Sequence, residues 1–145
     1  MGFESMFGAT NVSASGMSAE RLRMEVVANN IANANSTRTP QGGPYRRQDV
    51  VFSSVLNQRL RGGNGGAQLG GVQVTDVVDD MSELPLVYNP GHPDANAQGF
   101  VAMPNVQLAK EMVNLMMANR GYEANLKVMQ AFRQQAEQIL AIGRS

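Results

Sequence analysis

Apolar residues recur at alternating steps of three and four between positions 106 and 142: Leu108, Met112, Leu115, Tyr122, Leu126, Met129, Ala136 and Leu140, interrupted by Asn119 and Arg133. That period is one face of a long helix. At ~1.5 Å per residue the stretch is roughly 55 Å long, more than so short a chain is expected to wrap. A second series, Met117, Gly121, Ala124, Val128 and Ala131, starts two residues off the first and lies on the opposite side of the same helix. A surface helix of a lone globule has one apolar stripe, so a helix apolar or small on opposite sides expects neighbours on both. One neighbour can belong to the same chain; the other is expected from another molecule.

The opposite end of the chain repeats the pattern. Met17, Glu20, Met24, Val27, Ile31 and Ala34 predict a helix over 13–35, while Ala19, Leu22 and Val26 occupy the other side and lead into Asn29 and Asn33. Asn29, Asn30, Asn33 and Asn35 are poor residues for a helix interior, because their amides compete for backbone hydrogen bonds. A frayed terminus capped by Asn explains Asn35 well and Asn29 poorly. Interleaved with Ala28, Ile31 and Ala32, the amides read better as register-fixing contacts of a helix interface.

Between the helices the period changes. The stretch 39–44, Thr-Pro-Gln-Gly-Gly-Pro, breaks the first helix, and 45–56 alternates as a strand, with Arg46 and Arg47 expected as solvated edge charges. A glycine-rich tip at Gly62–Gly66 separates it from a second strand at 72–78, so the two predict a hairpin. Further extended pieces at 85–88 and 99–103 flank a turn, Asn89-Pro90-Gly91-His92-Pro93-Asp94. Pro104 excludes helical geometry at Met103, and Asn105 is placed to cap the long helix. The expected fold is α+β: long N- and C-terminal helices packed antiparallel as a coiled-coil-like pair around a small antiparallel β insertion. The expected division is 1–37 and 105–145 as an axial core, with 38–104 as the insertion.

Composition removes several functions. Lys plus Arg and Asp plus Glu both number 12, so no net charge argues for nucleic acid or a membrane surface. Cys is absent, which excludes disulfides and thiolate metal sites. Many Met and no Trp favour adaptable helix packing. The first residues lack a basic start, an apolar run and a small-residue cleavage site, so no cleaved signal peptide is expected, and no run is apolar enough to insert in a bilayer. His92 is the one histidine, no nucleophile elbow occurs, and the glycine run has no following Lys-Ser or Lys-Thr. The acidic cluster Asp79, Asp80 and Glu83 lacks the spacing of a cation loop. No catalytic, cofactor or metal residue is therefore assigned, and an enzyme is not expected.

Particular stretches carry a family likeness: Ser13-Ala14-Ser15-Gly16-Met17, the Asn-rich 28–35, Arg38-Thr39-Pro40, Gly43-Pro44-Tyr45-Arg46-Arg47, Tyr88-Asn89-Pro90-Gly91-His92-Pro93 and Met103-Pro104-Asn105-Val106. Over nearly its whole length the chain resembles bacterial flagellar basal-body rod proteins, and most closely their proximal subunits. The resemblance implies a structural subunit of a helical tube that crosses the periplasm, exported by the type III apparatus without a cleaved signal, transmitting torque and enclosing the export channel. The partners it implies are further copies of the chain, the proximal subunits FlgB and FlgF, the distal subunit FlgG, the adaptor FliE with the MS ring, and the export apparatus. The competing reading is a soluble coiled-coil adaptor or export-associated protein.

The intramolecular seam is expected at Met17, Met24, Val27, Ile31, Leu108, Met112, Leu115, Tyr122, Leu126 and Met129. Subunit contacts are expected at Leu22, Val26, Asn29, Asn30, Asn33, Gly121, Ala124 and Val128, and a carboxylate at position 30 is expected to disturb assembly more than secretion.

Overall fold

A computed structural model describes residues 3–57 and 68–143; the Gly62–Gly66 stretch lies outside the described residues. The elements run α1 (Phe3–Ala32), β1 (Gln48–Asn57), β2 (Gln68–Asp79), β3 (Leu86–Tyr88), β4 (Phe100–Ala102) and α2 (Leu108–Gly143). The fold is α+β: the two long helices pack against each other, with small two-stranded antiparallel sheets between them in sequence. Helix α1 starts ten residues before its expected beginning, since nothing from Phe3 to Asn11 breaks a helix. It stops at Ala32 because asparagines take over its last carbonyls. Asn33 Nδ2 donates to Asn29 O at 2.9 Å, and Ser36 N donates to Asn33 O at 3.0 Å. Gly42 and Gly43 then turn the chain at φ of 88° and 76°, a region that residues with a Cβ avoid.

The chain forms two compact units, each assembled from separate stretches. The first comprises Met1–Leu22, Phe52–Thr75 and Ala118–Ser145. Here the helices run antiparallel: Gly16 faces Asn125, and four residues on, Glu20 faces Gly121, four residues back along α2. Small residues allow this approach, because a Cβ on Gly121 would stand 3.1 Å from the Glu20 carboxylate. Asn125 Nδ2 donates back to Gly121 O at 3.0 Å. The hairpin also reaches α1 in this unit. Ser15 Oγ donates to Val12 O at 2.7 Å and accepts from Val72 N at 3.0 Å, while Gly71, at φ 107°, leaves room that any side chain would take from Ser15. A flank of α1 beside its contact with α2 is thus partly covered by the chain itself.

The second unit comprises Arg23–Val51 and Asp76–Met117. Strands β3 and β4 pair antiparallel, with Leu86 opposite Ala102, Val87 opposite Val101 and Tyr88 opposite Phe100. The Tyr88 and Phe100 rings meet edge to face at 5.3 Å. The start of β1 meets the end of β2, since Asp80 N donates to Arg47 O at 2.7 Å and Gln48 Nε2 donates to Asp79 Oδ1 at 3.0 Å. Buried apolar side chains among the described residues are small: Val26, Val27, Val50 and Val101 here, Ala19 and Ala118 in the first unit.

The inward stripe of α2 differs from the expected one. It runs Glu111, Leu115, Ala118, Tyr122, Asn125, Met129, Phe132 and Ala136, all buried or half-buried, whereas Leu108, Met112 and Leu126 are exposed at 50%, 60% and 38%. Both series keep three-four spacing and share Leu115, Tyr122, Met129 and Ala136. They part in two ways: Ala118 and Phe132 replace the interrupting Asn119 and Arg133, whereas Glu111 and Asn125 are turned inward beside exposed Met112 and Leu126 because they find hydrogen bonds within the chain. Asn105 also departs from its expected capping role. Its side-chain Oδ1 accepts from Arg47 N at 2.8 Å, and the first intrahelical bond of α2 is Glu111 N to Gln107 O at 3.0 Å.

Gly121→Val should lower stability by about 1–3 kcal/mol, because a branched side chain must displace Glu20. Gly121→Ala should be near neutral, its gain in helix propensity of about 1 kcal/mol offset by the crowding. Thermal unfolding of the full chain monitored by circular dichroism checks the order wild type and Ala above Val.

Candidate functional site

The second unit is organised by a buried polar cluster. Asn30 is wholly buried and uses every hydrogen-bonding position of its amide. Nδ2 donates to Gln48 O at 2.8 Å and to Glu111 Oε2 at 3.0 Å, while Oδ1 accepts from Gln48 N and from the Tyr45 hydroxyl, both at 2.9 Å. One side chain therefore joins α1, β1 and α2. Glu111, also fully buried, gives its other oxygen to Arg47 Nε at 2.7 Å, and Arg47 Nη1 reaches Asp49 at 2.9 Å. Asn105 Nδ2 extends the cluster to Asp80 O and Ser82 Oγ, both at 2.9 Å.

Electrostatics agree with this geometry. Burial acts to lower the Arg47 pKa, but the hydrogen bonds and charges of Glu111 and Asp49 outweigh it and raise it above its ordinary value. Burial first, then the nearby Asp79 and Glu111 charges, pushes the Tyr45 phenol up, so the hydroxyl stays a donor to Asn30. Asp80 is held below the usual carboxylate range by the backbone and hydroxyl hydrogen bonds of Ser82. A smaller clamp joins the end of α1 to the turn before β4: Thr37 Oγ1 donates to Asp94 at 2.8 Å and Arg38 pairs with it at 2.6 Å, and the Thr37 bond foremost lowers the Asp94 pKa. His92 Nδ1 accepts from Asp94 N at 3.1 Å, the geometry of a turn residue. Among the described residues no group of His, Asp and Glu has metal-binding geometry, and no helix is long and apolar enough to cross a membrane.

The expected subunit-contact residues divide in two. Asn30 and Val26 are buried within the chain, Leu22 and Gly121 are half-buried, and Asn33 binds its own helix. Of these, Asn30 is held by β1 and α2, and Gly121 lies against Glu20 of α1. Asn29, Ala124 and Val128 are exposed. Of the expected seam, Val27 is buried and Met17, Met24, Ile31, Leu115, Tyr122 and Met129 are half-buried. Arg47, expected as a solvated edge charge, is instead 8% exposed. Glu111 and Arg47 were not singled out as a pair, yet Glu111 stands in step with Leu115, Ala118 and Tyr122. A charge in an inward stripe requires a counter-charge, and that is the legible signal.

The outward face of α2 is a different surface. Met112, Val113, Met116 and Met117 are exposed at 60%, 50%, 57% and 55%, opposite Glu111 and Leu115, and form an apolar patch within the second unit. In the first unit the same face continues through Arg120, Ala124, Lys127 and Ala131. There a cavity of about 460 Å³ lies between the helices, lined by Phe7, Thr10, Leu126, Met129, Phe132 and Ala136, among others.

Asn30→Asp should destabilise the folded chain by about 3 kcal/mol or more, since it removes two donors and sets a second buried carboxylate against Glu111. This revises the expected effect at position 30 from an assembly defect to a folding defect, read as a fall in the urea midpoint of the isolated chain. Tyr45→Phe should cost about 1 kcal/mol at neutral pH by leaving Asn30 one acceptor bond short. Because the folded pKa of Tyr45 lies above its unfolded value of 10.0, its contribution is fully present below pH 10 and is lost as pH rises through the folded value. The difference between wild type and Tyr45→Phe should therefore shrink in alkali, as urea titrations near neutrality and above that range will show.

Two families match parts of the chain: residues 11–40 match Flagella basal body rod protein, and residues 97–142 match Flagellar basal body rod FlgEFG protein C-terminal. Flagellar basal-body rod protein FlgC of Borreliella burgdorferi is 41% identical, covering 94% of this chain and 97% of its own. The protein of that name from Bacillus subtilis is 44% identical over 95% and 98%, and that from Escherichia coli O157:H7 40% identical over 92% and 95%. Identity at that level, sustained through both helices and the β insertion, means that the chain belongs to the flagellar basal-body rod protein FlgC family.

Proposed function

We infer that the chain is a structural subunit of the flagellar basal-body rod and that the outward face of α2 is its principal assembly surface. One observation carries the second half of this reading: Met112, Val113, Met116 and Met117 lie together in water on the side of α2 turned away from its own chain. Fully covering such side chains is worth about 1.5–3 kcal/mol each, so a neighbour gains by seating there. Copies joined through unlike surfaces do not close on themselves and extend as a tube. In that tube the paired helices pass torque along the axis and surround the export channel. The neighbours are other copies of the chain, FlgB and FlgF at the proximal end, FlgG on the distal side, and FliE with the MS ring at the base. The subunit reaches the periplasm through the type III apparatus.

A glutamate at Met116 should leave the isolated fold intact, because the side chain is already exposed, and should block rod growth. In cells lacking the native subunit, Met116→Glu should be secreted at wild-type levels yet give no swimming in soft agar. Wild-type rods built with this variant would remove α2 from the assembly surface. Residues 137–143 are all exposed, so their amides should exchange quickly in the free subunit and slowly in isolated basal bodies.

A further inference from the structure

The small sheet of the second unit has two edges that differ. Met103 N donates to Pro85 O at 2.8 Å and Asn89 N to Gly99 O at 2.9 Å. Antiparallel pairs alternate between hydrogen-bonded and non-hydrogen-bonded, so 85, 87 and 89 face β4, and the backbone groups of Leu86 and Tyr88 face away from it. On the β4 side Phe100 is held by its own loop at the outer edge: Phe100 N donates to Asn96 Oδ1 and Asn96 N donates to Phe100 O, both at 2.9 Å. Among the described residues nothing of this kind covers β3. Leu86, Val87 and Tyr88 are exposed at 63%, 50% and 66%. From Pro85 to Pro90 the edge carries no charged side chain, the usual guard against strand addition.

We propose that β3 is a strand-addition edge whose occupant is β3 of a second copy of this chain, paired antiparallel about a two-fold axis through Val87. The argument is the match of the edge to itself. Leu86 and Tyr88 offer two N–H donors and two carbonyl acceptors, and the next residue of the same parity, Pro90, has no N–H and begins a turn. About the two-fold, Leu86 of one copy lies opposite Tyr88 of the other, and each pair exchanges both of its hydrogen bonds. The same pairing sets Leu86 against the Tyr88 ring and Val87 against Val87, apolar on both faces, and brings Glu83 opposite Gly91, so no like charges meet. The product is a four-stranded sheet whose outer strands are each held at Phe100 by their own loop. A two-fold contact closes on itself and cannot extend a filament, so this pairing belongs to the free subunit. It does not rest on the rod reading, and its failure leaves that reading untouched.

Sedimentation velocity of the full chain over a concentration series, with amide exchange at Leu86 and Tyr88, tests the pairing. The expected result is a monomer–dimer equilibrium in which those two amides slow as concentration rises. Leu86→Pro removes an outward donor without touching the ladder to β4 and should weaken the dimer at least about tenfold. Leu86→Lys keeps every backbone group and should also weaken it by placing a cation against the partner strand. Retained protection at Val87 and Val101 in each variant shows that the hairpin still forms. Three results overturn the proposal: a monomer at all concentrations with both amides fast, a dimer that neither substitution weakens, or open-ended polymers in place of dimers.

Discussion

Asn30 bonded to Glu111, with Arg47 closing the second carboxylate oxygen, is the constraint on which the second unit depends. The apolar core there consists of a few valines, too little to fix how one helix slides along another. An apolar seam with three-four spacing tolerates a shift of one turn, because the stripe meets itself again after each repeat. A buried carboxylate does not. Displaced from Arg47 and Asn30, Glu111 would be an uncompensated charge in the interior, a cost of several kcal/mol that the alignment observed here avoids. Asn30 adds the strand to the same node through the backbone of Gln48, so helix register and the position of β1 are decided together.

The node also explains how the chain divides its faces. Both helices carry apolar or small residues on two sides. On α1 the chain supplies α2 and a second neighbour beside it: Gly71 and Val72 against Ser15 in the first unit, and in the second β1 against Asn30, which bonds α2 as well. On α2 it supplies one, which leaves the methionine face bare. The two-sided pattern in the sequence thus has different outcomes within the chain: the second side of α1 is partly covered by β1 and β2, while that of α2 is left exposed.

The helix pair and the hairpins were legible because period and turn chemistry are local: three-four spacing, the glycines at 42 and 43, and the alternation at 72–78 each act within a few residues. The inward stripe of α2 was legible in spacing but not in phase. Choosing Met112 over Glu111 and Leu126 over Asn125 follows hydrophobicity, and hydrophobicity is overruled where a polar side chain finds hydrogen bonds inside. The two bonds of Glu111 join residues 81 and 64 positions apart, information that no local window contains. Asn30 stood out as an odd residue in a helix, yet its partners lie in β1 and α2 rather than in another subunit.

The exposed face of α2 is built largely of thioethers. A methionine that gains one oxygen becomes a sulfoxide, polar and chiral where it had been greasy and pliable, and solvent access is what admits the oxidant. Met112, Met116 and Met117 are therefore open to this damage for as long as a subunit travels alone, and are shielded once a neighbour covers them. For a molecule incorporated by way of that face, early capture by the growing structure also serves as chemical protection.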